Sequence, residues 1–241
     1  MVCAKGDTIN FVNATIGHIE NLAKNSIKHS KNRSICLTGG KTAMLLYENA
    51  AFQKLLFDRF KHFFWGDERL VPPWHIESNY FMATQTLLRT PFKNAKIHRI
   101  RGETLNLDDE ISRYEKLLPS SFDLVLLSVG DDGHIASIFK QSRIIGELTR
   151  SLAYVANAPS QLRGRITITP KVILSARNVV VLVRGKLRGR LMAEALREPS
   201  DLSSLPARLT IGRSWIMDGD AHSEFSSASS VNLYGTHIIC A

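Results

Sequence analysis

The sequence predicts an α/β fold. One domain spans residues 1–241, with a mainly parallel sheet covered by helices on both faces. Three observations carry this. The runs 124–129 (LVLLSV) and 179–183 (VVVLV) are almost unbroken apolar stretches, as in strands buried on both faces. Strand-like runs alternate with stretches of helical spacing, the pattern of parallel strands joined by helical crossovers. Several strand candidates end in glycine or charged clusters: Thr38-Gly39-Gly40, Asp67-Glu68-Arg69, Asp131-Asp132-Gly133-His134 and Lys186. In a parallel sheet such ends share one edge, where open α/β sheets bind ligands.

The elements follow in order. Residues 8–29 place Val12, Ile16, Ile19, Ala23 and Ile27 near helical spacing, with Asp7 as the expected N-cap. Residues 34–38 read as a short strand broken by Gly39-Gly40, and 42–48 as a helix. The HFFW strand within 61–65 is stopped by Gly66-Asp67-Glu68-Arg69, and Pro72-Pro73 rules out regular structure there. Ser78 caps a helix to about 88, 97–100 is a strand, and 108–117 is a helix closed by Pro119. The strand at 124–129 ends at Gly130-Asp131-Asp132-Gly133, a tight turn with positive φ expected at a glycine. After His134, the apolar stretch 135–139 is expected to wind into a helix. Residues 152–158 and 165–169 read as strands, and Thr169-Pro170 as N-cap and first turn of a helix ending near 176. The strand at 178–183 stops at Gly185, and 186–197 is a helix with Leu187, Leu191 and Ala195 on one face. A short helix is expected at 205–211. A serine-rich tail leads to a last apolar piece at 236–239.

Composition narrows the function classes. The chain is 44% hydrophobic and 22% charged, enough for a full core in a water-soluble protein. Its net charge of +9 suits an anionic partner. The basic residues are scattered, without a run of five and without an RNA-binding aromatic signature, which argues against nucleic acid. Cys3, Cys36 and Cys240 show no metal-ligand spacing, and a dispersed, odd set fits a reducing compartment. Without a signal-peptide apolar region or a run of ~20 apolar residues, the expectation is a cytoplasmic protein with no membrane partner.

The motifs point to acid–base chemistry on an anionic small molecule. Thr38-Gly39-Gly40-Lys41-Thr42 lies between a strand and a helix, where glycines allow close backbone approach, but it has neither P-loop nor dinucleotide-binding spacing. Arg69, Arg165, Arg184, Lys186 and Arg188 are candidate anion contacts. No nucleophile elbow and no zinc-ligand set is present. The remaining option is metal-free proton transfer, with His134 as the side chain of the type that exchanges protons near neutrality.

Together these residues resemble the 6-phosphogluconolactonase family across roughly 8–220. TGGKTAMLLYE is similar to S-G-G-S-T-P-x-x-L-Y. WGDERLVP with Ser78-Asn79 is similar to D-E-R-x-V-P and its S-N. VGDDGHIASIF is similar to G-x-D-G-H-T-A-S-L-F-P, and RITITPKVILSARNVVVLVRG to R-x-T-L-T followed by V-x-x-L-V-x-G. The chain departs from the pattern at Thr38, Lys41, Ala43, Ile135 and Lys140, and Arg188 stands where the family has lysine. GHIA is closer to the related glucosamine-6-phosphate deaminases, whereas Arg69 and Ser137 differ from their tyrosine and phenylalanine.

The resemblance implies a Rossmann-like α/β sheet shared with glucosamine-6-phosphate deaminase and ribose-5-phosphate isomerase. It implies no organic cofactor and a sugar-phosphate partner. It also implies hydrolysis of 6-phospho-D-glucono-1,5-lactone to 6-phosphogluconate in the oxidative pentose phosphate pathway. In that reading His134 activates water, and Asp67 orients His134 or sugar hydroxyls. Arg69 and Arg188 converge on phosphate, with Arg165 as a further anchor. Gly39, Gly40, Lys41, Asp132 and Gly133 complete the substrate site. A monomer is expected. A deaminase/isomerase-type enzyme and a non-catalytic sugar-phosphate sensor on the same fold are the alternatives.

Overall fold

The computed structural model describes residues 3–89, 94–160, 162, 164–227 and 232–241. Its elements are α1 (Cys3–Leu22), β1 (Ser34–Leu37), α2 (Lys41–Tyr47), α3 (Ala50–Arg59), β2 (His62–Trp65), β3 (Asp67–Arg69), α4 (Asn79–Gln85), β4 (Lys96–His98) and α5 (Leu107–Glu115). Then come β5 (Leu124–Ser128), β6 (Leu152–Val155), β7 (Arg165–Ile168), α6 (Pro170–Ser175), β8 (Val179–Val183), α7 (Lys186–Arg197), β9 (Ser214–Met217), α8 (Gly219–Ser227) and β10 (His237–Cys240).

Seven strands form one sheet in the order β10-β9-β8-β5-β1-β2-β4, and every pairing in it is parallel. In β1 and β8 every residue is buried. Alternate side chains point to opposite faces of a strand, so both faces of the sheet centre are covered, as the apolar runs predict. From β1 the chain runs outward through β2 to β4 on one side, and from β5 through β8 to β10 on the other. The order therefore reverses between β1 and β5, and a crevice opens outside their carboxyl ends.

The smaller sheet, β3-β7-β6, is antiparallel. The sequence reads 67–69 as a stop after β2, yet these residues form β3. A strand of three residues is too short to show a period. The pairing that makes it a strand lies about a hundred residues away, with Asp67 opposite Thr167 and Arg69 opposite Arg165.

Three further expectations are corrected. Asp7 is not an N-cap: α1 already begins at Cys3, and Asp7 Oδ1 instead accepts from the Gly219 amide at 2.9 Å. Residues 135–139 are not helical. Ile135 bridges to Val129 and to Ile138, and Ala136 has φ 49°, so the apolar stretch is a compact turn filling the core. The element at 205–211 is a 3-10 turn, Pro206–Thr210, rather than an α-helix. The sequence reading also passes over α3, β9 and α8. In α3 the signal was available, because the Asn49 side chain accepts from the Phe52 amide at 3.0 Å, an ordinary N-cap. The predicted cap at Ser78 is present, accepting from the Phe81 amide at 3.0 Å. Thr169 with Pro170 opens α6, although the Thr169 hydroxyl is used elsewhere, on the Arg150 carbonyl. The serine-rich tail falls partly outside the described residues.

Candidate active site

A cleft of about 710 Å³ opens at the crevice between the ends of β1 and β5. Its walls come from the turn after β1, the turn after β5, β3 with β7, and the first turns of α4 and α7. The strands are rigid and buried, so the turns at their ends hold side chains in fixed relative positions.

The turn after β5 carries a histidine–aspartate pair. Asp132 Oδ1 lies 2.5 Å from His134 Nδ1 and 3.2 Å from the His134 amide. A carboxylate only accepts, so Nδ1 is the protonated nitrogen, and Nε2 is left without a partner among the described residues. The imidazole packs against Phe139, ring centroids 4.7 Å apart. It also packs onto Gly130, where a Cβ would fall 2.1 Å from His134 Cε1. Gly133 takes φ +83°, as a tight turn demands, but it does not line the cleft. Its carbonyl accepts from the Ala207 amide at 3.0 Å, so its part is to shape the turn. Burial pushes the Asp132 carboxyl up, but the hydrogen bonds and charge of His134 outweigh burial and bring it down to about 2.

Asp67 lies on the other wall and does not orient His134; that partner is Asp132. Asp67 Oδ2 accepts from Ser137 Oγ at 2.6 Å and Oδ1 from Asn79 Nδ2 at 3.0 Å, and Asp67 is only 7% exposed. In the sequence, Ser137 and Asn79 stand out only through the family resemblance. Their part is to hold the Asp67 carboxylate at the cleft. Gly39 makes room for this, since a Cβ there would fall 2.0 Å from Asn79 Oδ1. Gly39, Gly40 and Lys41 line the cleft as expected.

The three arginines expected at the phosphate, Arg69, Arg165 and Arg188, all line the cleft. Arg69 and Arg165 sit directly opposite each other across β3 and β7. Like charges so placed repel. Burial, and then the charge of Arg69, pushes the Arg165 guanidinium pKa down. Arg165 Nη2 donates to Ser160 Oγ at 2.7 Å, while its buried Nη1 has no partner among the described residues. Arg69 Nη1 donates to the Glu77 carbonyl and lies 3.3 Å from Glu77 Oε2. Arg188 lines the same cleft, whereas Lys186 does not. Its guanidinium is held by the Val129 and Arg184 carbonyls at 2.7 and 2.9 Å and by Asp131 at 3.0 Å. Arg165 is thus the most deeply buried of the three, and its strand pairing with Arg69 was invisible in the sequence. Among the described residues no three His, Cys, Asp or Glu side chains group to hold a metal ion, and no helix is long and apolar enough to cross a membrane.

Comparison with known proteins gives consistent matches. The family described as glucosamine-6-phosphate isomerases/6-phosphogluconolactonase matches residues 6–216. The chain is 33% identical over 215 residues to a 6-phosphogluconolactonase of Nostoc sp., covering 83% of this chain and 88% of that one. It is 34% identical over 184 residues to a 6-phosphogluconolactonase of Haemophilus influenzae, covering 72% and 77%. The solved structure of a 6-phosphogluconolactonase from Trypanosoma cruzi superposes with a TM-score of 0.75 at 26% identity, covering 91% of this chain and 94% of that one.

Proposed function

The chain belongs to the family of glucosamine-6-phosphate isomerases and 6-phosphogluconolactonases, and within it we propose that the protein hydrolyses 6-phospho-D-glucono-1,5-lactone to 6-phospho-D-gluconate, a reaction of the oxidative pentose phosphate pathway. The observation that carries this reading is one cleft that holds both a His134–Asp132 pair and a cross-strand arginine pair. A neutral lactone carbonyl needs an activated water, and a phosphate dianion needs cations. Both are present on facing elements.

The chemistry follows from the pair. Asp132 fixes the tautomer, so Nε2 is the basic nitrogen. It takes a proton as water oxygen bonds to the lactone carbonyl carbon, and the carbonyl becomes an oxyanion. Turn amides at Gly39 and Gly40 line the same cleft and are the candidates for receiving that charge. On collapse the carbon–ring-oxygen bond breaks, and His134 returns its proton to the departing ring oxygen. The sum is one water added across the ester bond. Asp132 stabilises the imidazolium in between. Asp67 and Lys41 contact sugar hydroxyls. Arg165 is the main phosphate contact, with Arg69 and Arg188 as the other cations of the cleft. An anion would relieve the repulsion between Arg69 and Arg165, which the free protein must otherwise tolerate.

The test is lactone hydrolysis corrected for the spontaneous rate, run beside ammonia release from glucosamine 6-phosphate. Hydrolysis without ammonia is expected. Ammonia without hydrolysis would assign the site to amino-sugar phosphate chemistry. Binding of 6-phosphogluconate with neither reaction would make the protein a sensor.

A further inference from the structure

Glu68 has no part in the chemistry above, yet it is the most completely bonded carboxylate near the cleft. It is 2% exposed and forms no ion pair with a lysine or arginine among the described residues. Oε1 accepts from the amides of Arg69 and Asn79, both at 2.8 Å. Oε2 accepts from Ser78 Oγ at 2.9 Å and the Tyr80 amide at 2.8 Å. All four of its acceptor sites are therefore used.

The geometry links three cleft groups. On β3 successive side chains alternate, so Asp67 and Arg69 reach the cleft while Glu68 points away from it, to the first turn of α4. There it satisfies the amides of Asn79 and Tyr80, which have no helical partner. Asn79, so held, sends its Nδ2 back to the Asp67 carbonyl and carboxylate at 2.9 and 3.0 Å. The chain between β3 and α4 is an irregular excursion, so no regular backbone pairing fixes one against the other. A glutamine could not substitute, because its NH₂ would face two donors.

We infer that Glu68 is a positioning residue for the lactonase site: it locks β3 to α4 and thereby sets where Asp67 and Arg69 stand in the cleft. This rests on the proposed function. The test compares kcat/KM for the phosphorylated lactone with that for unphosphorylated gluconolactone, well below Tm. In Glu68→Gln the ratio of the two is expected to fall about 3- to 10-fold, as Arg69 loses its alignment with phosphate. A purely structural role lowers Tm and leaves that ratio unchanged. Combining Glu68→Gln with Arg69→Ala should lower the ratio no further than Arg69→Ala alone. If Glu68→Gln fails to fold, Ser78→Ala removes one donor on the helix side and should shift the ratio in the same direction by a smaller factor. Absence of wild-type lactone hydrolysis overturns the lactonase reading and this inference with it. Wild-type hydrolysis with an unchanged ratio in the variants overturns this inference alone.

Discussion

Among the described residues, Asp132 is the one side chain that hydrogen-bonds the His134 ring. The pair sits at the surface of the cleft, with side chains 31% and 40% exposed, so its removal should cost chemistry far more than stability. His134→Asn is expected to reduce lactone hydrolysis by ~10²–10⁴ while Tm stays near wild type by calorimetry and 6-phosphogluconate still binds. Asp132 gives a separate pH signature. Its carboxyl in the folded protein is at about 2, below the ~3.9 of an unfolded chain. A carboxyl lowered on folding stabilises at pH values above its unfolded value, and that contribution is lost as the pH falls toward the folded one. The urea midpoint of Asp132→Asn should therefore trail wild type at about pH 5 and approach it near about pH 2.5. Asp132 stays ionised throughout the neutral range. Arg165→Ala should raise KM for the phosphorylated lactone about 10- to 150-fold, the worth of a charge-assisted hydrogen bond, and leave unphosphorylated gluconolactone nearly untouched. Equal losses on both substrates would remove Arg165 from the phosphate site.

Among the elements, α7 connects the core to the cleft. Arg188 reaches the cleft from its first turn, and the helix packs on α8 at Gly189, where a Cβ would fall 2.1 Å from the Ala221 carbonyl oxygen. The helices meet this closely only because that position carries no side chain. Gly189→Ala should push α7 away from α8 and cost ~1–3 kcal/mol, the usual range for overpacking, read from urea unfolding. A variant with wild-type stability would mean that α8 yields without cost. The turn after β5 makes the complementary point. Its apolar residues 135–139 have helical composition but become a folded turn, because Ile135 and Ile138 are both fully buried there.

At the scale of the molecule, net charge and cleft charge act together. The chain carries +9, and Arg69, Arg165 and Arg188 line one cleft. A dianionic substrate is therefore drawn in by the whole field, and that attraction is screened by salt. kcat/KM for the phosphorylated lactone should fall as ionic strength rises from about 0.02 to about 0.5 M, while the neutral lactone shows little change. A flat response for both would mean that the net charge serves some other purpose.

The sequence by itself determined the α/β class, the buried central strands, and the meeting of glycine-rich ends at one edge. These depend on local period and composition: unbroken apolar runs for β5 and β8, and glycine where a turn takes positive φ, as at Gly40 and Gly133. The turn that carries His134 was legible for the same reason, since it is written in consecutive residues. Only the tertiary structure decided the partners. That Asp132 rather than Asp67 orients His134, that Ser137 and Asn79 hold Asp67, and that Arg165 faces Arg69 all depend on pairings that link distant parts of the chain. The three-residue strand β3 exists only because β7 pairs with it, and no local pattern encodes a contact whose other half lies about a hundred residues away.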